Sequence, residues 1–380
     1  MSSGEARAEH CASPCVLGSN AQPLVRNRAG LNDRPHLADA LRRQAEWCAR
    51  LGSPLYARLL HAAAEDVETG GPAARVLAPH AQDPPLSMVS LRLMGAVHRM
   101  VLEGRAPGLA PFYASVTQQP LDADPWPAFR DVLEGGGARL AELVRRPVQT
   151  NEVGRAAALL GGFLALAAWT AMPLRLLELG ASAGLNLRWD RFRYGAGAWT
   201  WGPANSPVRI AESFAGSPPR GGPVVVAERM GCDERPVDAE TEEGRLTLLS
   251  YVWPDQAERL ALLRGALEVA GAVPVRLERA GAADWLSRTL ATPAPGTATV
   301  VFHSVVMQYL TEAERARVEA LIAQAGEQAS VRAPVGWLRM ERGGEQAEVR
   351  LTRWPGGKEE LLATAAFHGR PVRWRGSPAA

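Results

Sequence analysis

Lysine is nearly absent from this sequence. Lys358 is the only one among 42 basic residues. Schiff-base chemistry would therefore rest on Lys358 alone, in a Gly-Gly-Lys turn. A phosphate-cradling G-x-x-x-x-G-K-[ST] loop is missing as well. Cysteine is sparse. Cys11, Cys15, Cys48 and Cys232 are too few and too scattered for a disulfide framework. His10-Cys11 and Cys15 have no second ligand cluster behind them, so no metal is expected. Excess charge is lacking too: a net +2 gives no strong field for nucleic acid or an anionic membrane. Residues 1–20 have neither a basic start nor an apolar core, so no secretory signal is read and a cytoplasmic location is the default.

What is present points to a globular chain. Its 380 residues, 47% apolar, suffice for one large core or two domains. Residues 1–30 read as a disordered or loosely docked tail. From 31 to 150 the pattern is helical: Leu37, Leu41, Ala45, Cys48 and Leu51 recur on one helix face. Ser53-Pro54 marks a helix start, a capping hydroxyl followed by proline at the first helical position. Further helical patterns cover 86–102, 125–134 and 138–146, and no strand is read before residue 174. From Ala156 to Leu174 the sequence carries no charge for 19 residues, close to a membrane span. Pro173 ends that helix and the run continues into LRLLELG, so a buried helix packed under a buried strand is the better reading.

After 174 short apolar runs alternate with helical patterns: 174–179, 224–228, 273–278, 297–303, 335–340, 347–353 and 371–375, with helices over 254–270 and 311–325. That alternation predicts an α/β fold with a parallel sheet and helices on both faces, finishing in an antiparallel edge. Residues 188–222, rich in aromatics, glycine and proline, read as an inserted hairpin or irregular flap.

The stretch LRLLELGASAGLNL (174–187) carries the chemistry. Gly180-Ala-Ser-Ala-Gly184 fits G-x-S-x-G, the turn that presents a serine nucleophile in many hydrolases. The same strand, small-residue turn and helix start also suit a ligand beyond the carboxyl end of a strand. Glu178 at the strand end needs a cationic or N–H partner if it is buried. With Glu178, Gly180, Ser182 and Gly184 in an E-x-G-x-[SG]-x-G pattern, the chain from 174 on resembles a class I S-adenosylmethionine-dependent methyltransferase. GASAGLN, GCDERPVD, YVWPDQAERL, HSVVMQYL, WLRMER and LTRWPGG resemble an uncharacterised bacterial family, domain of unknown function 2332, over most of the chain.

That resemblance implies a Rossmann-like methyltransferase domain over 151–380, preceded by a helical cap region over 31–150, with S-adenosylmethionine as cofactor and a small-molecule acceptor. Gly180, Ser182 and Gly184, with Asn186 in the same turn, would surround the methionine part. Glu228, with Asp233 in reserve, would hold the ribose hydroxyls. Asp284 would accept from the adenine amino group, beside Trp285. His303 and Ser304 end the fourth strand, so they, Met307, Gln308 and Tyr309 would face donor and acceptor. His303 is the expected base, with Asp190 or Asp255 behind it. Asp255 equally suits a helix start, and Trp253 a pocket wall or plain packing. Gln149, Thr150, Asn151 and Glu152 enter a buried centre, where they serve as caps or reach substrate. The serine hydrolase, with His303 or His368 and Asp255 or Asp284 completing a triad, and a non-catalytic cofactor-binding protein stay open as alternatives.

Overall fold

The computed structural model describes residues 34–375. The expected loose tail, with His10, Cys11 and Cys15, lies outside the described residues. The described residues open with six α-helices: α1 (Arg34–Arg50), α2 (Pro54–Thr69), α3 (Pro72–Leu77), α4 (Val89–Leu102), α5 (Trp126–Gly135) and α6 (Gly137–Arg145). On α1 the buried stripe is Leu37, Ala38, Leu41, Ala45 and Cys48, the periodicity expected of an amphipathic helix. Ser53 caps α2 by accepting from the Tyr56 N–H, with Pro54 in the first turn. These helices share one apolar core, into which Trp253 from the later chain also inserts.

Next come α7 (Arg155–Thr170) and β1 (Leu174–Leu179), then a 3-10 turn over Asn186–Arg191 and three short strands, β2 (Arg193–Ala196), β3 (Trp199–Trp201) and β4 (Arg209–Ile210). There follow β5 (Val226–Asp233), α8 (Glu242–Ser250), α9 (Ala257–Ala272), β6 (Arg276–Arg279), α10 (Ala282–Thr289), β7 (Ala298–Ser304) and α11 (Glu312–Glu327). The chain closes with β8 (Val335–Arg342), β9 (Ala347–Trp354), β10 (Lys358–Ala365) and β11 (Val372–Trp374). The main sheet has eight strands in the order β11-β10-β9-β8-β7-β1-β5-β6. Strands β6, β5, β1, β7 and β8 run parallel, and β9 to β11 add an antiparallel meander. The parallel part is Rossmann-like. Its order reverses at β1, with β5 on one side and β7 on the other, the place where such sheets hold ligands.

Strand alternation divides the core. Leu174, Leu176, Val300 and Phe302 pack toward α7, α9 and the small sheet, whereas Leu177, Leu179 and Val301 pack toward α10 and α11. Helix α7 lies very close to the sheet. A Cβ on Gly161 would sit 2.2 Å from the Trp374 ring, and one on Gly162 would sit 2.3 Å from Leu338. This explains the charge-free run before β1 as core, and no helix among the described residues is long and apolar enough to cross a membrane.

Three expectations need correction. β5 does not end at Glu228 but continues to Asp233, because its charged residues find partners: Glu228 pairs with Arg175 and Arg229 with Asp190. Between the expected last two strands, 347–353 and 371–375, lies one more that is not expected: KEELLATA forms β10, its acidic groups paired with Arg339, Arg350 and Arg353. The aromatic segment holds the expected hairpin, β2 paired antiparallel with β3, but it is no flap. It forms the three-stranded sheet β3-β2-β4 and places Trp189, Phe192 and Tyr194 fully inside the main core. The β1-to-β5 crossover therefore carries no α-helix.

Helix α4 docks on α8 and the chain after it. Gly95 leaves room for the Tyr251 ring, 2.5 Å from where a Cβ would stand. Buried His98 donates from Nδ1 to the Ser250 carbonyl (3.1 Å) and accepts at Nε2 from the Ser115 hydroxyl (2.8 Å). Burial pushes the imidazole down to about 4. The unfolded chain takes up that proton first, near pH 6.5. The stability tied to neutral His98 is thus complete above about pH 6.5 and declines as pH falls toward 4, by up to about 3 kcal/mol. Urea unfolding from pH 7 to pH 4.5 should show this loss, and His98→Gln should flatten the part of the profile between pH 6.5 and 5.

Candidate functional site

A cavity of about 580 Å³ opens at the carboxyl ends of β1, β5 and β7, roofed by residues of the helical part. That is within the ~300–1,000 Å³ range of small-molecule sites. Glu178 and Gly180 come from β1 and its turn, Cys232 and Asp233 from the end of β5, and Ser304, Val305 and Val306 from the end of β7. The segment 147–155 crosses one wall, and Tyr56, Met88, Leu91, Gly95, Tyr251 and Trp253 supply an apolar and aromatic face.

The turn after β1 is held in a strained form. Gly180, Ser182 and Gly184 all have positive φ (63°, 51° and 65°), and only for Ser182 does a Cβ make that conformation costly. A Cβ on Gly180 would stand 2.7 Å from the Val306 side chain, so this position also needs glycine for space. Fixed acceptors hold the turn. Asp233 accepts from the Ser182 N–H (2.9 Å), and Asn151 Oδ1 accepts from the N–H groups of Ala183 (3.2 Å) and Leu185 (3.0 Å). Arg188, buried behind the turn, donates to the Gly184 and Val273 carbonyls. The Ser182 hydroxyl donates to Gln149 Oε1 (2.9 Å), and among the described residues no histidine hydrogen-bonds it.

Two buried glutamates line this cavity and are treated in opposite ways. Glu178 is 3% exposed, and its Oε2 is buried without a hydrogen-bond partner. Burial pushes this carboxyl well above the ordinary range; Arg188 acts against the shift and Asp233 adds to it. Asn186 Oδ1 is a second buried acceptor without a partner on the same wall. Glu152, by contrast, is fully paired. Its Oε2 accepts from Arg259 Nε (2.8 Å) and His368 Nδ1 (3.1 Å), and its Oε1 from the Gly154 N–H (3.3 Å). Burial alone would raise Glu152, but Arg259, His368 and Arg155 hold it well below the usual carboxylate range.

A family model described as an uncharacterized protein conserved in bacteria (DUF2332) matches residues 38–374. The chain belongs to that family. No curated protein and no solved structure matches it.

The structure gathers some of the residues singled out in this family member's sequence and separates others. Glu178, Gly180, Ser182, Asn186, Asn151, Glu152, Trp253 and Tyr309 line the cavity; Gly184 and Gln308 do not. His303 is placed elsewhere. Phe302 pairs in register with Glu178 and points to the same face, so His303, one residue on, points to the other. It is fully buried, with Nδ1 on Glu341 Oε1 (2.7 Å) and Nε2 accepting from Trp337 Nε1 (3.0 Å), so neither nitrogen is open to a ligand. Asp190 is spent on Arg229 through two hydrogen bonds (2.6 and 2.7 Å). Asp255 does not cap its own helix. It accepts from the Ser53 hydroxyl and the Leu55 N–H, fastening α2. Glu228 lies inside β5 against Arg175, short of the strand end, where Asp233 stands instead. Asp284 is exposed and paired with Arg317, while Trp285 is buried in the core under α10.

Cavity residues not chosen from the sequence include Arg155, Arg235, Tyr251 and Arg259. Asn151 is the main fastening of the turn, because it satisfies two buried N–H groups at once. Asn151→Ala should cost about 2 kcal/mol or more, the toll of leaving such donors without this partner. Chemical denaturation should measure the loss, with Asn151→Asp keeping most of the stability.

Proposed function

We propose that this protein binds S-adenosylmethionine in the 580 Å³ cavity and methylates a small acceptor there. The observation that carries the reading is the orphaned Glu178 carboxyl at the carboxyl end of β1, beside the Gly180–Ser182 turn. A carboxyl left unpaired in such a place is costly unless a cationic ligand group meets it. The residues present fit the cofactor. Glu178 would face its ammonium group, and Gly180 and Ser182 would border the methionine part. Asp233 accepts one N–H at each oxygen, from Ser182 and Arg235, and keeps lone-pair directions for ribose hydroxyls. Ala280 and Ala282 line the same cavity and would offer small apolar contacts to a purine ring. The bound cofactor supplies a methyl group on a sulfonium sulfur. The chain's part is to exclude water, hold the acceptor in line and take its proton.

Calorimetry with S-adenosylmethionine and S-adenosylhomocysteine tests the proposal. Saturable one-to-one binding is expected; the absence of heat at millimolar ligand would sink it. Glu178→Gln should weaken binding about tenfold, roughly 1.4 kcal/mol. Because a cation favours the ionised carboxyl, affinity should rise with pH across the raised Glu178 titration, with protons released on binding. Ser182→Ala should leave binding within a few-fold. A serine hydrolase would instead lose its labelling by a fluorophosphonate probe in that variant. Binding without turnover of any acceptor would favour the non-catalytic alternative.

A further inference from the structure

The base expected in the sequence, His303, is closed off, yet another histidine stands at the cavity wall. We propose that His368, oriented by Glu152, is the proton acceptor of this site, and that it serves an anionic acceptor seated on Arg155. This deepens the methyl-transfer reading and rests on it.

Several independent observations converge on His368. Glu152 accepts from its Nδ1, which fixes the ring's tautomer and leaves Nε2 with a bare lone pair. That Nε2 is buried and has no hydrogen-bond partner. His368 lines both the inner cavity and an outer groove of about 700 Å³, and Glu152 and Arg259 line both as well. The imidazole therefore stands in the wall between the groove and the cavity. The Trp253 ring meets it edge to face, with centroids 6.2 Å apart.

The backbone under His368 is pinned. A Cβ on Gly154 would lie 2.4 Å from the His368 carbonyl oxygen, and one on Gly369 would lie 2.3 Å from Arg155 Cα. Gly369 has φ +90°, which a side chain would strain. Arg155 Nε donates to the Phe367 carbonyl (3.1 Å) and its Nη1 to the Ser304 carbonyl (3.0 Å). The loop bearing the histidine is thus locked onto the start of α7, the rigidity that a reactive side chain requires. A histidine and carboxylate arranged in this way form the orienting half of a general-base pair.

Charge identifies the substrate class. Glu152 is one carboxylate facing two guanidinium groups: Arg259 is ion-paired to it, whereas Arg155 acts on it only at longer range, donates to the Phe367 and Ser304 carbonyls, and has no carboxylate at ion-pair distance among the described residues. The rim beside His368 therefore keeps a positive charge that an anionic group would satisfy. In the proposed step the acceptor's X–H bond breaks and an Nε2–H bond forms. The electron pair stays on X, and the imidazolium charge is met by Glu152.

The test needs no known acceptor. Bromoacetate carries a carboxylate for Arg155 and a carbon that Nε2 attacks, with bromide leaving. Peptide mass spectrometry should find His368 carboxymethylated at least tenfold faster than the exposed His36 and His61. Neutral bromoacetamide should lose most of that advantage over the same two histidines. Labelling no faster than at His36 and His61 would overturn the base; an equal advantage for both reagents would overturn the anion site. Glu152→Gln should slow His368 labelling several-fold, and an unchanged rate would remove Glu152 as the positioning residue. If that variant does not fold, the wild-type comparison still decides the first two points. Calorimetry with S-adenosylhomocysteine on the same sample keeps the questions apart, since labelling without binding would sink the methyl-transfer reading and leave the reactive histidine standing.

Discussion

A carboxylate buried at Glu152 stays ionised only if cations are brought to it, and much of the site follows from that requirement. Arg259 comes from α9, His368 from the link between β10 and β11, and the Gly154 N–H from the start of α7. One side chain therefore gathers two distant pieces of chain onto the start of α7, at a wall of the cavity. The neighbouring positions extend the same joint: Gln149 and Asn151 seize the turn after β1, the Glu152 carbonyl accepts from Asn186, and Arg155 ties the ends of β7 and β10 together. Removing either partner of the Glu152–Arg259 pair leaves an uncompensated buried charge, so the joint is cooperative.

Glu178 is the counterpart that the chain leaves open. The protein compensates one buried glutamate completely and the other hardly at all, though both line the same cavity. A structural carboxyl would have been supplied with donors, as Glu152 was.

Much of this was legible in the sequence where one rule dominated. The apolar run into LRLLEL and the small residues after it announce β1 and its turn, and the order of strands and helices announces the α/β sheet. Asn151 and Glu152 stand out as polar residues entering a charge-free helix. Elsewhere tertiary pairing decided. Glu228 and Arg229 interrupt an apolar run, so β5 reads as ending early, and with it the acid at the strand end shifts from Asp233 to Glu228. The ion pairs that tolerate those charges come from Arg175 and Asp190, residues far away in sequence. His303 illustrates a different limit. Its place near the end of β7 is readable, but which face it points to depends on register, and one residue's difference reverses the answer. His368 sits in a glycine- and proline-marked link between two strands. Such a link often carries function, but nothing local connects it to Glu152.

The pairing of Glu152 with His368 spans 216 residues. During synthesis from the N-terminus, the helices and the parallel core through β8 can be assembled while the histidine has not yet been made. A nascent chain at that stage can already bring Glu152 and Arg259 together and form the turn after β1, but its cavity wall lacks His368. The cavity wall is therefore completed only once the link between β10 and β11 has been made and has folded back onto the start of α7.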